Sequence, residues 1–207
     1  MTIYNKCYII YVIQKKEGDL IPPKAKITKE MITDAAFDIA RYEGYERINA
    51  RTVAHKLGCS TQPIMYHFAT VGDIKKAVYQ KADDFHSSYI MQGAADGIGG
   101  IGLAYIRFAQ NEKHLFRFLF QSDGFSGQSL SGLIDNEALS PVLCAVSQSS
   151  GITVGQAKIA FRSLFLFVHG YASMLANNSM EYDEEVISTD IQRIFSGTMC
   201  ALKEELL

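Results

Sequence analysis

The chain is poor in the residue patterns that build metal sites, disulfide frameworks and simple active sites. Its four cysteines, Cys7, Cys59, Cys144 and Cys200, are scattered with no Cys-x-x-Cys pair, and its five histidines do not cluster. That spacing argues against a zinc site and a stapled fold and suits a reducing cytoplasm. There are no paired carboxylates at catalytic spacing and no nucleophile motif, so the expectation is a protein that is not an enzyme, with no catalytic residues, no cofactor and no metal. The apolar run from Tyr8 to Ile13 is too short to span a bilayer, and no membrane partner is expected. Repeats and low-complexity tracts are absent, and so is tryptophan.

What remains is a chain built to bury a core. Apolar residues make up 48% and aromatics 11% of 207 residues, enough for one or two folded domains. The net charge of −2 hides an asymmetry: residues 21–81 carry +4, residues 82–207 carry −7 and residues 1–20 add +1. A basic first third on an acidic body fits attraction to nucleic acid through one face.

Residues 50–68 are the most informative stretch. Val53, Ala54 and Leu57 form one apolar stripe, and Ile64, Met65 and Phe68 a second, with Gly58-Cys59-Ser60 between them. Gly58 stops the first helix, Ser60 is placed to cap the second, and Pro63 falls in its first turn, where a missing N–H costs nothing. This predicts a helix-turn-helix. A helix from Thr28 to Tyr42 precedes it, capped by Thr28, with Ile32, Ala35, Ala36, Ile39 and Ala40 as its stripe. A long helical segment from Asp73 to Tyr89 follows, apolar at Ile74, Ala77, Val78, Ala82 and Phe85, with His86 expected on its surface.

In the order Val53-Ala54, Leu57-Gly58-Cys59-Ser60, Ile64-Met65-Tyr66-His67-Phe68 and then Ile74, the chain resembles the TetR family of bacterial transcription regulators. The resemblance covers about fifty residues. It implies an all-α protein with an N-terminal three-helix helix-turn-helix domain, residues 21–71, and a C-terminal helical effector-binding and dimerisation domain, residues 72–207. It implies a cytoplasmic homodimeric repressor that binds a palindromic operator in double-stranded DNA and is released by a small-molecule effector. An activator, or a regulator answering to a protein partner, is the alternative; an enzyme using a C-terminal cavity is the remote one. Relatives often carry a phosphate-binding lysine just before the fourth helix; here that position is Val71, with Lys75 and Lys76 a turn later.

Thr61 and Gln62 are the candidates for base contact, glutamine being able to bond adenine bidentately, and Pro63 offers an apolar edge to a thymine methyl. Tyr66 and His67 match family positions at the backbone or nearby bases; Ser60, Arg51, Thr52 and Thr28 sit at helix starts, where phosphates are favoured. For Thr28 a cap alone is an equal reading. Cys59 is either a redox switch in the turn or a small residue that the turn accommodates.

Beyond this region, Gly97-Ile98-Gly99-Gly100-Ile101-Gly102 matches the letters of a dinucleotide fingerprint, but no strand precedes it, and a hinge loop is expected. Helices are expected from Leu103 to Asn111 and from Leu115 to Phe120, a loop from Ser122 to Gly132, and a helix from Ile134 to Gln148 interrupted or restarted at Pro141. The most apolar helix spans Gly155 to Ala176, and a last one Glu184 to Glu205. Phe161 to Gly170 is similar to the regulatory domain of a TetR subgroup marked by Trp and then His-Gly; Phe165 stands at the Trp position and His169-Gly170 is kept.

An effector site is expected among Tyr105, Arg107, Phe108, Phe116, Arg117, Phe120, Phe165, His169, Tyr171 and Met174. The same aromatics could instead fill a tight core, and the two arginines could pair with surface acids. A dimer interface is expected from Ala160, Leu164, Phe167, Val168 and Leu175 with Ile191, Ile194 and Phe195. Residues 1–20 are expected to be a leader or flexible extension: Lys16-Glu17-Gly18 can be encoded as AAG-GAG-GGN, a ribosome-binding sequence, and Leu20 as TTG, an alternative start.

Overall fold

The computed structural model describes residues 27–122 and 129–204. The expected leader and part of the expected loop after Ser122 lie outside these residues. The described chain is all-α, as the apolar periodicity predicts.

Helix α1 (Lys29–Glu43) starts where Thr28 Oγ1 accepts the Met31 N–H at 3.2 Å, and it buries Ile32, Ala35, Ala36, Ile39 and Ala40. Gly44 ends it at φ +100°, a conformation a side chain rarely adopts. A single 3₁₀ turn, Tyr45–Arg47, leads to α2 (Ala50–Lys56). The cap of α2 is Asn49, whose Oδ1 accepts from Arg51 and Thr52 while Thr52 Oγ1 accepts the Asn49 N–H. Gly58, at φ +63°, makes the turn into α3 (Thr61–His67). Ser60 holds the cap position of α3 but its hydroxyl makes no capping bond, contrary to expectation. Helix α4 (Val71–Ile90) opens with a Thr70–Asp73 capping box and buries Ile74, Val78, Ala82 and His86.

The second half begins with a 3₁₀ segment, Met91–Asp96, and α5 (Gly97–Asn111). The glycine run is therefore the first turns of a helix and not a hinge loop. It serves close packing: a Cβ on Gly93 would lie 2.1 Å from the Gly100 carbonyl oxygen, and one on Gly102 would lie 3.2 Å from Val168. Helices α6 (Lys113–Phe120) and α7 (Leu130–Ile134) follow, so the expected loop ends before Gly132. The predicted helix from Ile134 starts only at α8 (Ser140–Ser150), with Pro141 in its first turn, after a 3₁₀ turn at Glu137–Leu139. Gly151, at φ +65°, ends α8. A Thr153–Gln156 box starts α9 (Val154–Asn177), and α10 (Glu184–Glu204) closes the fold.

One apolar cluster runs without a break from Ile32, Ile48, Val53 and Ile64 through Ile74 and Val78 to Phe108, Phe116, Leu175 and Ile187. A smaller one, with Val146, Ala157, Ala160 and Leu202, ties α8, α9 and α10 together. Helix α9 is long and apolar enough by composition to cross a membrane. In the fold its Ala157, Ala160, Leu164, Val168, Ala172, Leu175 and Ala176 are buried.

The Gly93–Gly100 approach predicts a fold defect that composition would not suggest. Gly93→Ala or Gly100→Ala should destabilise the protein by about 1–3 kcal/mol, because backbone must move to admit the methyl. Thermal unfolding followed by circular dichroism reads this; an unchanged midpoint for both variants would rule out the close approach.

Candidate nucleic-acid interface and interior cavity

Helix α3 buries one edge and offers the other. Ile64 is fully buried and Phe68 nearly so, which leaves Thr61, Gln62, Met65 and Tyr66 on the outer face. Met65 is thus exposed and not a core residue: it lies one position beyond Ile64, rotated away from the buried edge. Tyr66 is 83% exposed, the most exposed large apolar side chain among the described residues of this unit. Pro63 is half-buried in the first turn.

The residues around α3 divide into those facing out and those holding the frame. Arg51, Thr28 and Ser60 are exposed. Thr52 is committed inward, its hydroxyl donating to the Arg47 carbonyl at 2.7 Å. His67 is also structural: its Nε2–H donates to the Ile27 carbonyl at 2.9 Å and pins the start of α1 beside the end of α3. Lys75 lies over the Tyr45 ring, 5.3 Å from its centroid, and Tyr45 in turn stacks on Phe118. That places Lys75 at the seam with α6, while Lys76 is exposed. Val71 is half-buried, and the first turn of α4 carries Asp73 where a phosphate-binding cation would help. Cys59 is half-buried against the core, which fits a small packing residue.

The seam joins this unit to the second half through one partly buried ion pair. Arg41 of α1 clasps Glu112, between α5 and α6, through Nε at 2.8 Å and through Nη2. Glu112 is nearly buried, and the guanidinium also lies over the Phe85 ring at 4.9 Å. The Tyr79 hydroxyl donates to the Leu119 carbonyl at 3.2 Å, adding a bond from α4 to α6. No part of this polar seam is visible in helical periodicity, since the partners lie 71 and 40 residues apart.

Where α4, α5, α8 and α9 meet lies a cavity of about 480 Å³. Its walls include Ile90, Ile101, Phe120, Leu164, Phe165 and Val168, with Asp83, His86 and Ser87 of α4 along one side. His86 is only 7% exposed and is caged by Tyr105, Phe108 and Phe120 at centroid distances of 5.3, 4.8 and 5.1 Å. It is not the surface residue its acidic neighbours suggest; it continues the stripe of Ile74, Val78 and Ala82 at four-residue spacing. Its Nε2 has no hydrogen-bond partner, and burial pushes its pKa down to about 4. Tyr105 is also buried, its phenol held protonated by desolvation, and its hydroxyl meets His169 Nδ1 at 2.9 Å. Burial lowers the His169 pKa as well, and its ring stacks on Phe165. A wider cleft of about 760 Å³ lies between the start of α5, α8 and α10, and does not touch α4.

Of the expected effector residues, the cavity gathers Tyr105, Phe120 and Phe165, with His169 behind them. Phe108 and Phe116 are fully buried core. Arg107 is bound to Glu184 through Nε at 2.8 Å, and Arg117 donates to the Ala176 carbonyl through Nη2 while its buried Nε has no hydrogen-bond partner. Tyr171 and Met174 lie outside the cavity walls, and Met174 is 47% exposed. His86, Ile101 and Leu164 were missed; the i, i+4 continuation from Ala82 was the signal for His86. The expected dimer residues Ala160, Leu164, Val168, Leu175 and Ile191 are buried within the protomer. Phe167 and Phe195 are half-buried, and Ile194 is exposed. The outward apolar residues are instead Ile159, Leu166 and Met174 on α9 and Val186 with Ile194 on α10.

No protein-family model matches the chain, and no curated protein does. A solved structure of a TetR family member from Streptomyces coelicolor A3 superposes on it with a TM-score of 0.53 at 19% identity, covering 84% of this chain and 98% of that one. The two chains share a fold. Its likeness to the subgroup with Trp and His-Gly rests on sequence alone.

His86 predicts an acid sensitivity. Its pKa is near 6.5 in the unfolded chain and about 4 in the fold. Between these values the unfolded chain holds the extra proton, so His86's contribution is full above pH 6.5 and is lost as pH falls toward 4. The loss reaches about 3 kcal/mol, at 1.36 kcal/mol per unit. His169 pulls in the same direction and Asp83, raised by burial, in the opposite one. Denaturant melts should therefore show His86→Phe gaining on the wild type as pH drops; parallel pH profiles would contradict it.

Proposed function

We propose that the protein is a TetR-like transcriptional regulator, a homodimeric repressor that binds a palindromic operator and releases it on taking a small molecule into the cavity. The carrying observation is helix α4. Its buried stripe starts at Ile74, in the apolar core shared with Val53 and Ile64 of the helix-turn-helix, and ends in the cavity wall at His86. A molecule that prefers one position of α4 thereby shifts the recognition helices, and operator affinity changes by the ratio of its affinities for the two states, commonly about 5–150-fold. Residues 21–71 read DNA and residues 72–207 bind effector and partner in this reading. The cavity supports control by a small molecule over control by a protein partner. The role is regulatory and not catalytic, and its place is the cytoplasm.

DNA contact is assigned to Thr61, Gln62, Pro63 and Tyr66, with Arg51, Thr28, Ser60 and Lys76 toward phosphates. His67, Thr52 and Lys75 act by holding the frame. Dimerisation is assigned to the outward faces of α9 and α10, with Leu166 and Ile194 near the centre. Two-fold pairing sets the recognition helices about 34–36 Å apart, one turn of DNA.

Gel shifts on the promoter of the adjacent gene test the reading. A salt-sensitive, sequence-specific complex is expected, and Gln62→Ala should weaken it by about 1–3 kcal/mol at the matched base pair. Absence of any sequence-specific complex would refute the regulator. Sedimentation should show a dimer that Leu166→Glu splits into monomers with helical content intact; a monomeric wild type would refute the assigned interface.

A further inference from the structure

The cavity's wall chemistry restricts what can occupy it. Among the described residues the walls are apolar apart from α4, Asn136 and the Tyr105 hydroxyl, which meets His169, and no lysine or arginine is among them. Arg107 is held by Glu184 and Arg117 by the Ala176 carbonyl, while Arg162, next to the wall residue Phe161, is exposed on α9 and is not in the wall. Asp83 stands at the α4 side, its carboxyl already raised by burial and by Asp84. An anion entering here would shed its water, find no cation and meet a carboxylate.

His86 supplies the polar contact. It lines the cavity, and its Nε2 is the buried side-chain nitrogen there without a partner, whereas buried polar atoms are paired in the great majority of cases. A neutral imidazole can carry its proton on either nitrogen, so Nε2 can accept from a donor or donate to an acceptor. Nε2 is shielded from water by the surrounding rings; half-buried Phe120, 5.1 Å away and itself in the wall, is the ring that an entering molecule would turn aside.

We propose that the cavity binds an uncharged, mainly apolar small molecule whose single polar group hydrogen-bonds to His86 Nε2. The proposal rests on reading the cavity as the effector site. It also places the polar contact on α4, the helix that carries the DNA-binding unit, so the bond is made to the moving part directly.

Fluorescence titration with phenyl-naphthylamine, an uncharged ring pair with one N–H, tests this against anilinonaphthalene sulfonate, its anionic counterpart, and phenylnaphthalene, which lacks the N–H. Cavity binding is counted as the part abolished by Leu133→Trp, a half-buried wall position that the wider cleft does not share. The amine is expected to bind once per chain, with the sulfonate about tenfold weaker or more, as a charge without a partner requires. His86→Phe should weaken the amine about threefold to tenfold, the value of one neutral hydrogen bond, and leave phenylnaphthalene unchanged. Equal binding of amine and sulfonate, or an amine indifferent to either substitution, would overturn the proposal. Gel shifts without any added molecule separate it from the regulator reading. Amine binding as expected with no sequence-specific DNA complex would keep the ligand class and remove the regulator; a DNA complex with no amine binding would overturn the ligand class alone.

Discussion

Everything in this fold hangs on one buried face of one helix. Ile74, Val78, Ala82 and His86 recur at four-residue spacing along α4, and all four are buried. The first two complete the core beneath the helix-turn-helix; the last reaches the cavity of the second half. A helix is stiff along its axis, so a displacement felt at His86 is carried to Ile74 without loss through loops. Apolar burial supplies the hold, and four alternating contacts leave little freedom to slide.

The polar seam sets the angle at which α4 operates. Arg41 and Glu112 meet where both are partly desolvated, a geometry in which removal of one partner strands the other's charge. With Tyr45 on Phe118 and Tyr79 bonded to the Leu119 carbonyl, the seam links α1, α4 and α6 by contacts that are directional and not merely apolar. Directional contacts have discrete arrangements, which is what the proposed regulation needs.

Local chemistry was legible where it is local. Thr28, Gly58 and Pro63 act through their own turn, and each does so where helical periodicity places it. The errors came from features that depend on a distant neighbour. Ser60 has the right position and residue type but its hydroxyl does not close the cap. The glycines at 97–102 read as flexibility because glycine weakens isolated helices, yet contact with Gly93, Val168 and Ile191 makes the missing Cβ a packing requirement. The apolar residues of α9 read as a dimer face, but most of them are consumed by the protomer's own core.

The sequence by itself determined the all-α class, the helix-turn-helix with its outward Thr61, Gln62 and Tyr66, and the order of the later helices, because capping, glycine turns and apolar period operate within a few residues. Tertiary structure alone decided the rest: that His86 is interior, that Arg107 and Arg117 make framework bonds, and that Leu164 and Val168 are buried against the cavity. Those outcomes depend on which helix faces come together. A single helix's periodicity says that a face is buried, and only the packed neighbours say against what.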